Sequence, residues 1–241
     1  MKSMSFMPRV IDEDSGMFIS FEGVDGSGKS TQARLAADYL RQCGYDVILT
    51  REPGGTSIGD QIRGVLLDKM ENTEMHAHTE LLLFCASRAQ LVAELITPHL
   101  KRGGIVICDR YIDSTFAYQG YGHGLNLKAL RNVVKFATGG LLPDVTIYLE
   151  ITPKVALERR AKGMLFGETW NRLDDMAMAF HERVYKGYRE LILKEPARFA
   201  EISADDTEEA IQAAIRRTLA EWLKLPDDRD SEANPNGVKH G

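Results

Sequence analysis

Residues 23–30 read Gly-Val-Asp-Gly-Ser-Gly-Lys-Ser and match the phosphate-loop pattern G-x-x-x-x-G-K-[ST] at every fixed position. The apolar run Met17–Glu22 precedes this segment and predicts a strand, and a helical pattern runs from Lys29 to Cys43. Glycines let the backbone N–H groups of such a turn point at phosphate oxygens, and the helix N-terminus adds positive potential. The segment therefore predicts a strand–loop–helix unit that binds the phosphates of a nucleoside triphosphate.

The rest of the chain alternates short apolar runs with longer helical patterns. The predicted strands are Met17–Glu22, Asp46–Thr50, Ile105–Asp109, Val145–Glu150 and Phe199–Ser203. The predicted helices are Lys29–Cys43, Ile58–Leu67, Thr73–Lys101, Leu127–Thr138, Pro153–Lys162, Trp170–Leu193 and Thr207–Leu223. This alternation is typical of an α/β fold, so we expect a central five-stranded parallel sheet with helices on both faces. Ligands of such sheets bind beyond the carboxyl ends of the strands.

The ends of the chain differ in character from its middle. No linker or repeat interrupts residues 17–225, and we expect a single domain there. Residues 1–16 and 226–241 predict flexible tails, because the second is rich in Asp, Asn and Pro and neither can bury a core.

The charge balance bears on possible partners. The chain has 30 Lys and Arg against 35 Asp and Glu, a net charge of −5, whereas proteins that bind polynucleotides usually carry a basic excess. Apolar runs such as Leu81–Phe84 and Ile105–Cys108 are far shorter than the ~20 residues of a membrane span. The three cysteines are scattered and predict neither a disulfide framework nor a zinc site. We therefore expect neither nucleic acid nor a membrane as a partner.

The phosphate loop supplies the candidate triphosphate and metal ligands. Lys29 would place a positive charge near the transferred phosphate, and the Ser30 hydroxyl would hold Mg²⁺. Asp109 ends the third predicted strand and is a candidate for Mg²⁺ through water, although it could instead cap a turn. The residues expected to contact the triphosphate are Gly23, Val24, Asp25, Gly26, Ser27, Gly28, Lys29, Ser30 and Thr31. A guanine-reading Asn-Lys-x-Asp stretch is absent from the sequence, which weakens a GTPase interpretation.

Two arginines follow predicted strands at the edge of the sheet where the phosphate loop lies. Arg51 comes after the second strand, and Arg110 comes after the third. A guanidinium group can bind a phosphate through two parallel hydrogen bonds. The pair therefore predicts a second phosphate site, that of an acceptor, although each arginine could instead pair with a carboxylate.

A candidate base pocket lies on the long predicted helix Thr73–Lys101. Phe84 and Arg88 are four residues apart and share one face of that helix. A ring that stacks and a guanidinium that donates suit a flat heterocycle, although a Phe in a Leu-rich helix is usually part of the core. Residues 114–120 are expected to form a polar loop facing the same crevice.

A basic segment lies between two predicted helices near residues 159–172. Arg159, Arg160 and Lys162 begin it, Arg172 ends it, and two glycines lie between. We expect a lid that carries a cation onto the transferred phosphate and excludes water. The alternative is a solvated helix end, where cations are favoured by the helix dipole.

Together these segments resemble bacterial thymidylate kinase, a family of phosphate-loop nucleoside monophosphate kinases, from Phe18 to about Ala214. The similarity lies in Phe-Glu-Gly-Val-Asp-Gly-Ser-Gly-Lys-Ser-Thr-Gln (21–32), Thr-Arg-Glu-Pro-Gly-Gly-Thr (50–56), Glu-Leu-Leu-Leu-Phe-Cys-Ala-Ser-Arg (80–88), Asp-Arg-Tyr (109–111), Ser114 and Ala-Tyr-Gln-Gly (117–120). The resemblance implies the nucleoside monophosphate kinase fold, with ATP and dTMP as substrates, Mg²⁺ as cofactor, and dTDP and ADP as products. It also implies a homodimer packed through helices and a cytoplasmic location.

The resemblance further implies roles for individual residues. Asp25 would hold the sugar 3′-hydroxyl of the acceptor, and Arg51 and Arg110 would bind its phosphate. Phe84 would stack on thymine, and Arg88 would hydrogen-bond a carbonyl of that base. The residues that complete this pocket would be Pro53, Ser114 and Gln119.

The family divides by the position of a catalytic arginine. In one branch it follows the acidic residue of the phosphate loop, and Gly26 occupies that position here. The chain therefore resembles the branch with catalytic arginines in the lid. Its candidates are Arg159, Arg160 and Arg172.

Two alternatives remain at this point. A deoxynucleoside kinase would use the acid after the second strand, Glu52, as a general base for the sugar hydroxyl. A nucleotide-dependent switch would bind the triphosphate without transferring phosphate to an acceptor. The Pro-Gly-Gly-Thr that follows Glu52 favours the monophosphate kinase.

Overall fold

The computed structural model describes residues 16–68, 74–164 and 173–224, without the side chains of 163 and 164. Its strands are β1 (Met17–Glu22), β2 (Val47–Arg51), β3 (Ile105–Asp109), β4 (Val145–Glu150) and β5 (Phe199–Ser203). They form one sheet in the order β2-β3-β1-β4-β5, and every neighbouring pair is parallel. The predicted five-stranded parallel sheet is confirmed, with β2 shifted by one residue toward Arg51.

The buried strand β1 lies in the middle of the sheet and ends beside β2 and β3. All six residues of β1 are buried, and because side chains alternate between the faces, both faces of the sheet are covered. Phe21 of β1 and Arg51 of β2 both pair in register with Asp109 of β3. Three parallel strands therefore end side by side, and the residues that follow them meet at one edge.

Nine α-helical segments occur in the described part of the chain. They are α1 (Lys29–Gln42), α2 (Ser57–Leu67), α3 (Ala77–Leu91), α4 (Thr97–Leu100), α5 (Ile112–Thr115), α6 (Leu127–Thr138), α7 (Pro153–Met164), α8 (Met178–Lys194) and α9 (Glu208–Leu223). Side-chain oxygens of Thr56, Asn126 and Thr207 accept from backbone N–H groups at the starts of α2, α6 and α9.

Two long predicted helices are shorter or less regular than expected. The helix predicted from Thr73 begins at Ala77, and it contains a π-helical turn over Val92–Ile96 before α4. Pro98 has no backbone N–H to donate one turn back, which explains why the regular pattern is interrupted just before it. The helix predicted over Trp170–Leu193 begins at Met178 among the described residues.

The prediction of a loop at residues 114–120 was wrong. Helix α5 and a π-helix over Phe116–Gly122 occupy this stretch. The π-helix packs against α8, and a side chain at Gly122 would collide with the ring of Phe180. The helical conformation thus depends on close tertiary packing rather than on the propensity of a glycine-rich segment.

One described helical segment, Ala77–Leu100, is long and apolar enough to cross a membrane by length and composition alone, with a mean hydropathy of 1.3. Core helices pass the same test. This segment carries the buried charges Glu80 and Arg88, and α3 packs against both α2 and α6. Buried charges and packing against two neighbouring helices are features of a helix within this α/β fold.

Candidate active site

A cavity of about 330 Å³ opens at the edge of the sheet where β1, β2 and β3 end. Most of the residues predicted from the sequence line it. They are Asp25, Gly26, Gly28, Lys29, Ser30, Thr31, Arg51, Pro53, Phe84, Arg88, Asp109, Arg110, Ser114, Gln119 and Arg160. Gly23, Val24, Ser27 and Arg159 are not among the lining residues, and Arg172 lies outside the described residues.

The phosphate loop turns through glycines with positive φ. The φ angles of Gly23, Gly26 and Gly28 are 146°, 86° and 87°, values that side chains disfavour. The Lys29 ammonium bends back and donates to the Val24 carbonyl at 2.8 Å. Burial, together with the charge of nearby Arg110, lowers the pKa of Lys29 to about 8, although acidic neighbours oppose the shift. An anionic phosphate beside Lys29 would favour its charged form.

A cluster of charges connects the phosphate loop to the start of α5. Arg110 Nη2 donates to Asp25 Oδ1 at 2.5 Å, and the Tyr118 hydroxyl donates to Asp25 Oδ2 at 2.7 Å. Burial works against ionisation of Asp25, but Arg110 and Lys29 hold the pKa of this carboxyl well below its usual range. Arg110 Nη1 donates to Ser114 Oγ at 3.0 Å. The Arg110 fork is therefore fixed in place by partners on both sides.

Beneath Arg110, the buried carboxylate of Glu22 receives four hydrogen bonds. Its Oε1 accepts from the backbone N–H groups of Tyr111 (2.8 Å) and Ser114 (3.2 Å). Its Oε2 accepts from the Ser114 hydroxyl (2.6 Å) and the Tyr188 hydroxyl (2.8 Å). Burial, with the charge of Asp113, nevertheless raises the pKa of Glu22 to about 7. Glu22 thus joins β1, α5 and α8 under the guanidinium of Arg110.

The raised pKa of Glu22 makes the stability of the fold depend on pH. In the unfolded chain the carboxyl titrates near 4.5, and in the folded protein near 7. Between these values the folded state binds the extra proton, so the free energy of unfolding falls as pH rises, and the loss is complete above about pH 7. Because a Gln side chain does not titrate, we expect the pH-dependent decrease in the free energy of unfolding to be smaller by about 1–3 kcal/mol in Glu22→Gln. Urea unfolding of both proteins from pH 5 to pH 8 measures it, and identical profiles would contradict the assignment.

Arg88 and Glu52 form a buried ion pair at the wall of the cavity. Arg88 Nε donates to both oxygens of Glu52, at 2.7 and 3.0 Å, and Nη2 lies 2.6 Å from Glu52 Oε2. Nη2 also donates to the Tyr111 carbonyl and to the Thr115 hydroxyl. Burial opposes the charge of Arg88, but Glu52 keeps the pKa of this guanidinium above its ordinary value. Nη1 is buried and has no hydrogen-bond partner among the described residues.

The other predicted pocket residues surround Arg88. Phe84 lies one turn before it on α3, half-buried and lining the cavity. Gln119 is 1% exposed and lines the same cavity. The Ser114 hydroxyl donates to Glu22 and accepts from Arg110.

Ser30 and Asp109 form a fitting site for Mg²⁺. The Ser30 hydroxyl donates to Asp109 Oδ2, and Asp109 Oδ1 is buried without a hydrogen-bond partner in the described chain. Hard oxygen donors of this kind suit Mg²⁺. No group of three or more His, Cys, Asp or Glu side chains able to hold a metal occurs among the described residues. An ion here would thus need phosphate and water oxygens as its other ligands.

The end of β2 and helix α2 bring two further cations, Arg51 and Arg63, to the cavity. Arg51 is exposed and lies 3.5 Å from Asp60, whose carboxylate also accepts from the Gly55 N–H at 3.1 Å. Arg63 of α2 donates to the Pro53 carbonyl at 2.9 Å and lines the cavity. The sequence analysis missed Arg63, because no motif surrounds it and only its helix position relative to Pro53 places it there.

The two described arginines of the predicted lid have different partners. Arg160 lines the cavity and pairs with the buried Asp174 at 3.1 Å. Arg159 points elsewhere, donating to the Ala204 carbonyl at 2.6 Å and to Asp205 at 3.0 Å. Of these two, Arg160 is therefore the one directed toward the candidate site.

Tyr118, Tyr188 and Glu22 were also missed as site residues. Tyr118 contacts Asp25 and Arg110, and it lies within the quoted segment Ala-Tyr-Gln-Gly, which could have identified it. Glu22 lies directly before the phosphate loop, within the quoted segment 21–32, which could likewise have identified it. No sequence pattern pointed to Tyr188, because its hydroxyl donates to a Glu22 oxygen that lies 166 residues away along the chain.

Comparisons with known proteins agree with this geometry. The family model described as "Thymidylate kinase" matches residues 21–215. The chain is 50% identical to the thymidylate kinase of Roseiflexus castenholzii over 216 residues, covering 86% of this chain and 94% of the relative. It is 48% identical to that of an Exiguobacterium species over 211 residues, 87% and 97% of the two chains. The crystal structure of thymidylate kinase from Ehrlichia chaffeensis matches with a TM-score of 0.69 at 32% identity, covering 85% of this chain and 99% of that one. With the phosphate loop and the arginine-lined cavity in place, these matches show that the chain belongs to the thymidylate kinase family.

Proposed function

We propose that this protein transfers the γ-phosphate of ATP to dTMP and forms dTDP and ADP. One observation carries the proposal: a single cavity is lined by the phosphate-loop residue Lys29, by Arg110, and by Phe84 and Arg88. Such a cavity offers adjacent subsites for a triphosphate, an acceptor phosphate and a flat base. Membership in the thymidylate kinase family supports this choice of base and acceptor.

The base subsite fits a carbonyl. Arg88 Nη1 is a buried donor without a hydrogen-bond partner in the described part of the chain, and leaving such a group unpaired is costly. The thymine carbonyl would satisfy it while Phe84 stacks on the ring. The acceptor sugar would lie toward Asp25, whose oxygens each have acceptor capacity beyond their bonds to Arg110 and Tyr118.

Transfer would proceed mainly by alignment and charge stabilisation. The acceptor phosphate is already anionic at neutral pH, so no general base is required. Arg110, held by Asp25 and Ser114, and the more exposed Arg51 would keep the acceptor in line. Lys29 and a lid arginine would stabilise charge on the transferred group, and of Arg159 and Arg160 the latter is the better placed. Bound Mg²⁺ at Ser30 and Asp109 would neutralise phosphate charge.

The assembly and setting of the protein belong to the same proposal. Large apolar side chains are exposed on three helices that pack together, namely Ile58 and Val65 of α2, Leu82 of α3 and Phe136 of α6. Such a surface supports a homodimer packed through helices. We also propose a cytoplasmic enzyme with one domain over residues 17–225, a lid near 159–172, and neither nucleic acid nor a membrane as partner.

The deoxynucleoside kinase is less well supported. Its general base would be Glu52, but both oxygens of that carboxylate accept hydrogen bonds from Arg88 and the side chain is 3% exposed. A nucleotide-dependent switch would not need the buried donor on Arg88, which has no partner among the described residues.

Acceptor-dependent ADP release tests the proposal. With ATP and Mg²⁺, dTMP, dUMP, UMP, CMP and thymidine are compared at equal concentration. We expect dTMP to be strongly preferred, because its 5′-phosphate reaches Arg110 and its C4 carbonyl reaches Arg88. A preference for thymidine would support the nucleoside kinase, and no acceptor-dependent release would support the switch.

A further inference from the structure

Glu80 is a buried carboxylate one turn before Phe84 on α3, and it is 0% exposed. Gln119 Nε2 donates to Glu80 Oε1 at 2.7 Å. His123 Nε2 lies 3.1 Å from the same oxygen. An ionised carboxylate can only accept hydrogen bonds, so Glu80 fixes which end of the Gln119 amide faces it.

The other end of the amide is then determined. With Nε2 turned toward Glu80, the carbonyl Oε1 of Gln119 is left for the cavity that this residue lines. The described part of the chain offers no hydrogen bond to that oxygen. Arg88 contributes a donor, Nη1, without a partner among the described residues. The base subsite thus presents one donor and one acceptor.

This pair of groups matches one pyrimidine edge and opposes another. Thymine and uracil carry a C4 carbonyl, which accepts, and an N3–H, which donates. Cytosine carries an amino group at C4 and an acceptor at N3, so both polarities are reversed. A site built to pair with one pattern rejects the other, because its buried polar groups are left unpaired.

We propose that Glu80 is a positioning residue that sets base specificity by holding the Gln119 carbonyl toward N3 of the acceptor base. The inference rests on the proposed function, because it assumes that dTMP occupies this cavity. Glu80 does not line the cavity, and its proposed effect on the base is exerted through Gln119.

The test is the variant Glu80→Gln, assayed as initial rates with dTMP, dUMP and dCMP. An amide at position 80 can donate to Gln119 Oε1, so the Gln119 side chain can flip and present its NH₂ group to the base. We expect the ratio of kcat/KM for dTMP over dCMP to fall about tenfold. The ratio for dTMP over dUMP should stay unchanged, because both bases carry N3–H and the C4 carbonyl.

The dUMP control separates positioning from general loosening of the pocket. If both ratios fall alike, or neither changes, the proposal is overturned. Glu80→Asp keeps a carboxylate and should retain the wild-type ratio for dTMP over dCMP. Gln119→Met removes the acceptor without altering Glu80, and an unchanged ratio there would overturn the proposal even if Glu80→Gln does not fold. Failure of the wild-type protein to phosphorylate dTMP would instead reject the proposed function.

Discussion

Arg110→Ala is expected to lower kcat/KM for dTMP by about 10³-fold, because it removes the donors that we propose hold the acceptor phosphate in line. In the folded protein these donors are fixed by hydrogen bonds to Asp25 at 2.5 Å and to Ser114 at 3.0 Å. These hydrogen bonds fix the position and orientation of the guanidinium before a phosphate binds. Arg110→Lys keeps a charge but loses the fork, so we expect a smaller decrease.

Steady-state kinetics with saturating ATP and Mg²⁺ measures the effect. Arg34→Ala is the matched control and should leave activity unchanged, since this arginine lies on α1, has a 58% exposed side chain and pairs with Asp38 on the same helix. Thermal unfolding of each variant shows whether Asp25, left without its partner, has destabilised the fold. Near-normal turnover of a folded Arg110→Ala protein would remove this residue from the acceptor site.

The sequence was informative where local pattern and topology act together. A strand, a glycine-rich turn and a helix with Lys29 at its start predicted the phosphate loop, because each element has its own signal. Parallel strands end at one edge, so Arg51 and Arg110 could be placed at that edge before any contact was known. The family resemblance added Phe84 and Gln119, which pattern alone assigned only to a helix face and a polar segment.

Contacts made by tertiary packing could not be read from the sequence. The stretch 114–120 is helical because Gly122 packs against Phe180, and Gly187 of α8 has no room for a side chain beside Tyr121. Likewise, no local sequence pattern indicates that the Glu22 carboxylate is buried beneath Arg110. Partner choice among charged side chains depends on distances that only the fold sets, so Arg159 and Arg160 looked equivalent in sequence.

The buried pair of Arg88 and Glu52 leads to the largest expected effect on stability. Arg88→Met removes one partner and leaves the Glu52 side chain, which is 3% exposed, without the cation that pairs with it in the folded protein. We expect the free energy of unfolding to fall by about 3–5 kcal/mol, as for other broken buried pairs. Urea unfolding at pH 7 measures this change, and base recognition should be lost with it, because Nη1 is removed.

A double-mutant cycle tests whether the loss comes from the unpaired charge. Glu52→Gln keeps an oxygen that can accept from Arg88, so this variant should remain folded and retain most of its turnover of dTMP. Adding Glu52→Gln to Arg88→Met removes the uncompensated charge, and we expect the double variant to be more stable than Arg88→Met alone. Additive losses would show that the pair is not coupled. If folded Glu52→Gln lost turnover by 10²–10⁴-fold, roughly the size of a general-base contribution, Glu52 would act on the substrate rather than on Arg88.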